Sequence, residues 1–295
     1  MNMLIFPLFN FHYLGDFNPD DLVKGIKNIP SDYKYEFEIE RGLYTIKRFN
    51  FEEDIKIPIQ DFFFSRNEIE DIKSVRWAVF VEECDKTTDN IIQEINLLLL
   101  AFRIFKQADC QIQFILSRNF EDNQKVTTPL KYAIANNLSE NNFSANDLEV
   151  IKTGFQKIKE FTNLSPRSKH AIDFLFLGYS SYYWMQVFIL LMTSLETLIL
   201  PEKIGGITTY VEKRTFAFLK DPIVCPEDKM RNLYGLRSDI IHGKILVDLD
   251  FTQEIVRLKE LQMIVLTFFK KLLEQDFKSI FKNEISKETF FNNIV

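Results

Sequence analysis

The hydrophobic period divides this chain of 295 residues into two parts. Up to about residue 120, strand-like alternation and short β-branched runs are mixed with helical stretches. From Leu148 onward apolar side chains recur at three and four; alternation belongs to strands and this longer period to helices. The alternation Tyr33-Lys-Tyr-Glu-Phe-Glu-Ile-Glu, the Arg-Gly break and the renewed alternation to Phe49 predict a β-hairpin with one buried face. Further strands are expected over residues 1–14, Ile55–Phe64, Val75–Glu82 and Gln111–Leu116. A short helix should run from Asn18 to about Ile26, and a long amphipathic one from Thr87 to Gln107. Glu121–Asn146 is polar, rich in Asn, Asp, Ser and Thr, and reads as a linker or domain boundary. Ser144 followed three residues later by Asp147 then resembles a capping box. Beyond it, helices are expected over Leu148–Phe161, Arg167–Gly178, Tyr182–Leu200, Ile207–Leu219, Glu227–His242 and Phe251 to about Phe281. The expected fold class is therefore an α+β domain over 1–140 followed by an all-α bundle over 146–295.

Charge and rare residues narrow the function. The net charge is −6. Residues 1–145 carry 16 Lys and Arg against 23 Asp and Glu, whereas 146–295 carry 20 against 19. A protein coating nucleic acid through many phosphates is usually basic over its binding domain, so nucleic-acid contact here would have a small footprint. No stretch reaches the roughly 18 unbroken apolar residues of a membrane span, and Met1–Tyr13 lacks a basic lead and a cleavage site. The expectation is a cytoplasmic protein with no membrane partner. Three cysteines without paired spacing and three scattered histidines offer little for a disulfide scaffold or a transition-metal centre. No cofactor is implied.

The first half has no Gly-rich phosphate loop, no HExxH and no GxSxG. Its Glu82-Glu83-x-Asp85 cluster reads as a divalent-ion site or, more simply, a solvated strand end, and Arg41, Lys47 and Arg48 as phosphate contacts or strand decoration. The second half contains Asn232-Leu-Tyr-Gly-Leu-Arg-Ser-Asp-Ile-Ile-His-Gly243, where Arg237 precedes His242 by five residues and a glycine follows at once. Upstream, Leu191-Met-Thr-Ser-Leu-Glu-Thr-Leu198 places Glu196 in an apolar helix.

In these stretches the chain resembles the HEPN superfamily of small helical bundles, and within it the ApeA-like branch found in bacterial anti-phage defence. The Arg-Ser and His-Gly pairs, Glu196 in a Leu-Glu-x-Leu helix, the linking helix with Lys213-Arg214 and the long closing helix carry the likeness, over about residues 146–290. Many active members of the superfamily place Asn, Asp or His directly after the arginine; here Ser238 stands there and the acid, Asp239, comes one later. The resemblance implies a metal-independent endoribonuclease acting as a homodimer on RNA, with tRNA among the candidates. Arg237 and His242 would be catalytic, with Glu196, Ser238 and Asp239 in support.

The chemistry is coherent without the likeness. RNA carries its own nucleophile, the 2′-OH; an imidazole can take that proton or give one to the leaving 5′-oxygen. A guanidinium can bridge two oxygens of the phosphorane. The products would be a 2′,3′-cyclic phosphate and a 5′-OH. Five residues turn a helix about 140° beyond one full turn, so Arg237 and His242 do not stack, and two copies of the motif in one cleft would supply both base and acid. Lys244, Arg231 and Lys229 are candidates for steering a phosphate, and Tyr182-Tyr183-Trp184 either stack bases or belong to the core or a dimer interface. His12 and His170 are taken as structural. Plainer readings stay open. His242 can cap a helix C-terminus. Glu196 can orient Arg237, form a buried structural ion pair, or do both. The helical half can be an inactive dimerisation or regulatory module, or the protein a nucleotide-binding regulator. The acidic first half suggests a sensor for a trigger ligand or protein.

Overall fold

The computed structural model describes residues 3–15, 36–55, 66–81, 85–117, 124–125, 142–181, 183–201, 207–245 and 252–295. These fall into two compact units, one holding 3–125 and 142–153, the other 154–295. The expected helix at Asn18–Ile26, the strand beyond Ile55, Glu82, Glu83, Tyr182 and most of the expected linker lie outside the described residues.

The first unit is built on strands β1 (Leu4–Pro7), β2 (His12–Gly15), β3 (Glu36–Glu40), β4 (Tyr44–Arg48), β5 (Trp77–Val81), β6 (Phe114–Ser117), β7 (Gln124–Lys125) and β8 (Asn142–Ser144). Helices α1 (Phe51–Asp54), α2 (Arg66–Ser74) and α3 (Thr88–Lys106) accompany them. Six strands form an antiparallel sheet in the order β3-β4-β5-β1-β6-β7, with Leu4 opposite Val81 and Ile5 opposite Phe80. Successive side chains of a strand point to opposite faces. Ile5, Ala78 and Phe80 accordingly join Ile69 and Ile72 of α2 in one cluster, while Phe6 and Ile115 meet Ile95 and Leu99 of α3 on the other face. Both faces of β1 and β5 are therefore covered, and all nine of their residues are buried.

Besides α1 and β7, neither of which the sequence pattern predicts, three features differ from expectation. The first strand is two, because Asn10 adopts a left-handed φ of 55° and redirects the chain between β1 and β2. Helix α2 was not expected; its signal is the Ile69/Ile72 spacing alone. The residues just before Ala145 are paired, since β8 runs parallel to β2.

The second unit is helical. Helix α4 (Ala145–Thr162) starts in the first unit and ends in the second; α5 (Pro166–Ser180), α6 (Trp184–Ile199), α7 (Ile207–Leu219), α8 (Lys229–Ile241) and α9 (Thr252–Glu274) follow. The chain ends in α10 (Phe277–Ile280) and α11 (Glu284–Ile294). The start of α4 is capped as its sequence suggests: the Ser144 hydroxyl accepts from the Asp147 N–H at 3.2 Å, and Asp147 accepts from the Ser144 N–H at 2.9 Å. Helix α6 is apolar nearly all round, the mark of a helix buried on all sides, and it packs on α5, α7, α8 and α9. A Cβ on Gly178 of α5 would lie 3.1 Å from the Leu191 side chain, so glycine permits the close approach of α5 to α6.

The last helix is shorter than expected, because the segment to Phe281 is broken by new caps. Asp276 accepts from the Ser279 N–H at 3.3 Å and opens α10, and Asn283 accepts from the Ser286 N–H at 2.8 Å and opens α11. Among the described residues no helix is long and apolar enough to cross a membrane. The observed architecture is an antiparallel sheet with helices, followed by a helical region.

Candidate functional site

Helix α6 carries Glu196 in its last turn, where a helix leaves carbonyl oxygens without intrahelical partners. Three cations from three other helices take them. Arg214 of α7 donates to the Ile199 carbonyl at 2.6 Å. Lys287 of α11 donates to Leu200 at 2.6 Å, and Arg167 of α5 to Leu200 at 2.5 Å and Thr197 at 3.4 Å. Positive charge is favoured at this negative end of the helix dipole. The cations are balanced in turn. Glu288 accepts from Arg214 at 3.0 and 2.7 Å, Asn292 accepts from it at 2.9 Å, and Glu284 lies 2.8 Å from Lys287. Burial raises the Glu288 carboxyl, but the hydrogen bonds and charge of Arg214 outweigh it and hold the group below the usual range. Burial lowers the Lys287 ammonium. This network fixes the end of α6 and with it the place of Glu196.

Opposite stands α8. Arg237 donates through Nη2 to Glu196 Oε2 at 3.2 Å. Glu196 is only 9% exposed, and burial pushes its carboxyl above the usual carboxylate range against the pull of Arg237 and a hydrogen bond from Tyr234. The contact has one point: Glu196 Oε1 and Arg237 Nε are buried without a protein partner. Arg237 Nη1 is not so enclosed, and the side chain keeps 22% of its surface. The guanidinium carbon lies over the Tyr234 ring, 5.2 Å from its centroid. One edge of the cation thus faces Glu196 and one face rests on an aromatic ring, while part of the side chain stays at the surface.

His242 is the C-cap of α8 and is exposed. Its N–H donates to the Ser238 carbonyl at 2.9 Å. Gly243 follows with φ 66°, which a glycine adopts freely. The Gly243 N–H then reaches the Ile240 carbonyl at 3.1 Å, and the Lys244 N–H reaches Asp239 at 2.9 Å. A left-handed residue closing a helix in this way is what a glycine after the last turn predicts. It turns the backbone away directly beside the imidazole.

The expected site residues divide into separate groups. Glu196 and Arg237 are joined. Asp239 is instead paired with Lys244 at 3.1 Å, both at the surface. Arg231 is held by the buried Glu212 of α7 at 2.8 and 3.1 Å and by Asp228 at 3.4 Å, so it ties α8 to α7. Lys229 pairs with Glu260 of α9 at 2.5 Å. Ser238 is half-buried and contributes the carbonyl already described. Among the described residues His242 makes no side-chain hydrogen bond or ion pair to the others. Trp184 is buried and belongs to the core, as the core reading expects, while Tyr183 is 62% exposed. Lys47 and Arg48 lie over the Phe80 and Trp77 rings at 4.3 and 5.8 Å. Among the described residues no three His, Cys, Asp or Glu side chains are grouped as a metal would require.

Sequence reasoning missed two parts of this arrangement. Tyr234 is legible in hindsight as an aromatic one turn before Arg237, since i,i+3 side chains are neighbours on a helix. Arg167, Arg214 and Lys287 had no local signal, because each meets α6 only through the tertiary fold. No protein-family model, no curated protein and no solved structure matches the chain.

Proposed function

We propose that the helical half is a metal-independent endoribonuclease of the HEPN type, working as a homodimer in the cytoplasm. The observation that supports this reading is the Glu196–Arg237 pair, which holds a partly exposed guanidinium on the same helix whose end exposes His242. In the reaction the 2′-oxygen attacks phosphorus and the P–O5′ bond breaks. One imidazole takes the 2′-OH proton, a second protonates the departing 5′-oxygen, and Arg237 stabilises the charge on the non-bridging oxygens. The second imidazole comes from the partner copy, since one His242 cannot be base and acid in the same step. A 2′,3′-cyclic phosphate and a 5′-OH result. The role proposed is that of a defence or toxin effector, with the acidic N-terminal unit sensing a trigger ligand or protein.

A second reading has its own observation. Arg237 is already neutralised by Glu196, as in an inactive module whose ion pair serves only the fold. Purified protein incubated with tRNA and total RNA in EDTA separates the two. Cleavage that Arg237→Ala and His242→Ala each abolish supports the nuclease; RNA left intact, or cut equally by all three proteins, removes it. A truncated chain of residues 146–295 that cuts as the full chain does would remove the sensor role.

A further inference from the structure

Tyr234 stands three residues before Arg237 on α8, on the same stripe of the helix. Its ring supports the guanidinium at 5.2 Å, within the range of cation–aromatic attraction. Its hydroxyl is near enough to Glu196 to favour the charged carboxylate, which accepts from Arg237 Nη2 at 3.2 Å. Arg237 is thus in contact with both of the other side chains. Geometry explains why the third member matters. A bidentate contact would fix the plane of a guanidinium against a carboxylate. Here the contact has one point, and one hydrogen bond leaves the plane free to swing about it. The ring beneath the cation removes that freedom.

We propose that Tyr234 is a positioning residue, holding the Arg237 guanidinium so that its Nη1 edge faces an anionic substrate. This rests on the reading of Arg237 as the group that meets the phosphate. Packing alone would ask for the ring. The hydroxyl has a separate task, because it lies close enough to Glu196 to favour the charged carboxylate that Arg237 needs.

The test uses the full chain with Tyr234→Phe, which keeps the ring, and Tyr234→Leu, which removes it. RNA cleavage kinetics in EDTA are read beside NMR of the Glu196 carboxyl carbon and the Arg237 Nε–H. The Phe variant should lower kcat about tenfold, as for loss of a polar group that favours the charged Glu196, with a smaller change in KM. Its Glu196 titration and the low-pH limb of kcat should both move to higher pH. The Leu variant should lower kcat further, toward about a hundredfold, and broaden or lose the Arg237 Nε–H resonance. An unchanged Glu196 titration together with an unchanged Nε–H resonance in both variants overturns the proposal, whether or not RNA is cut. So does a Phe variant identical to wild type in kcat, KM and titration, which would leave only a packing ring. Altered resonances beside a wild-type chain that cuts no RNA would uphold Tyr234 as the group that positions Arg237 and discard the nuclease reading alone.

Discussion

Arg214 and Glu288, 74 residues apart, meet through two hydrogen bonds of 3.0 and 2.7 Å behind the last turn of α6. The guanidinium is 2% exposed. Removing its partner strands a buried cation, so Glu288→Ala should cost on the order of 3 kcal/mol in urea unfolding. Glu288→Gln, which keeps an acceptor, should cost less. Because the same network holds the end of α6, the Ala variant should also loosen Glu196.

The pH dependence of stability carries the signature of Glu196. Burial, against Arg237 and Tyr234, raises its carboxyl above the usual range. The folded chain therefore binds this proton more tightly than the unfolded chain does. Its contribution is fully present below the unfolded value and is lost as pH rises through the raised folded value. Glu196→Gln does not titrate. In paired urea titrations the stability of wild type relative to Glu196→Gln should fall as pH rises from the ordinary carboxylate range; a constant difference would contradict the burial of this group.

Asp147 should show the opposite sign. Burial opposes its ionisation, but hydrogen bonds from Ser144 and Lys106 prevail and lower it. Its stabilisation is present above the unfolded value and is lost as pH falls through the folded one. Asp147→Ala should cost about 1 kcal/mol near neutrality, as loss of a cap does, and the deficit should shrink in acid.

A glycine inside α8 and one just past its C-cap make a contrasting pair. Gly243 has φ 66°, so Gly243→Ala should destabilise by about 1 kcal/mol and disturb the backbone beside His242. Gly235 lies inside the helix, and a Cβ there would meet nothing within 4 Å. Gly235→Ala should therefore raise the melting temperature, by the equivalent of roughly 0.4–1 kcal/mol. Thermal melts of the two variants read both signs.

Local chemistry was the legible part of this chain. The Ser144–Asp147 cap, the left-handed Gly243 and the alternation of the β3–β4 hairpin each depend on a few neighbouring residues, and all were readable. Glu196 and Arg237 were both singled out, yet their contact is tertiary, and sequence left open whether they meet. The break at Asp276 was overlooked because apolar periodicity continues across it and only the cap residues interrupt the helix. The β2–β8 pairing joins residues about 130 apart, for which alternation supplies no register. Arg231 and Lys244 looked like phosphate contacts because a charge in sequence does not reveal its partner; in the fold each has an acid of its own.

The most direct test of the central claim is the chemistry of the cut ends. The purified chain, incubated in EDTA with an RNA of defined sequence, should leave 2′,3′-cyclic phosphate and 5′-OH ends. The same RNA with a single 2′-deoxy nucleotide at the cleaved position should resist, because the nucleophile is gone. Ends bearing a 5′-phosphate and a 3′-OH, or cleavage that ignores the missing 2′-OH, would contradict the account.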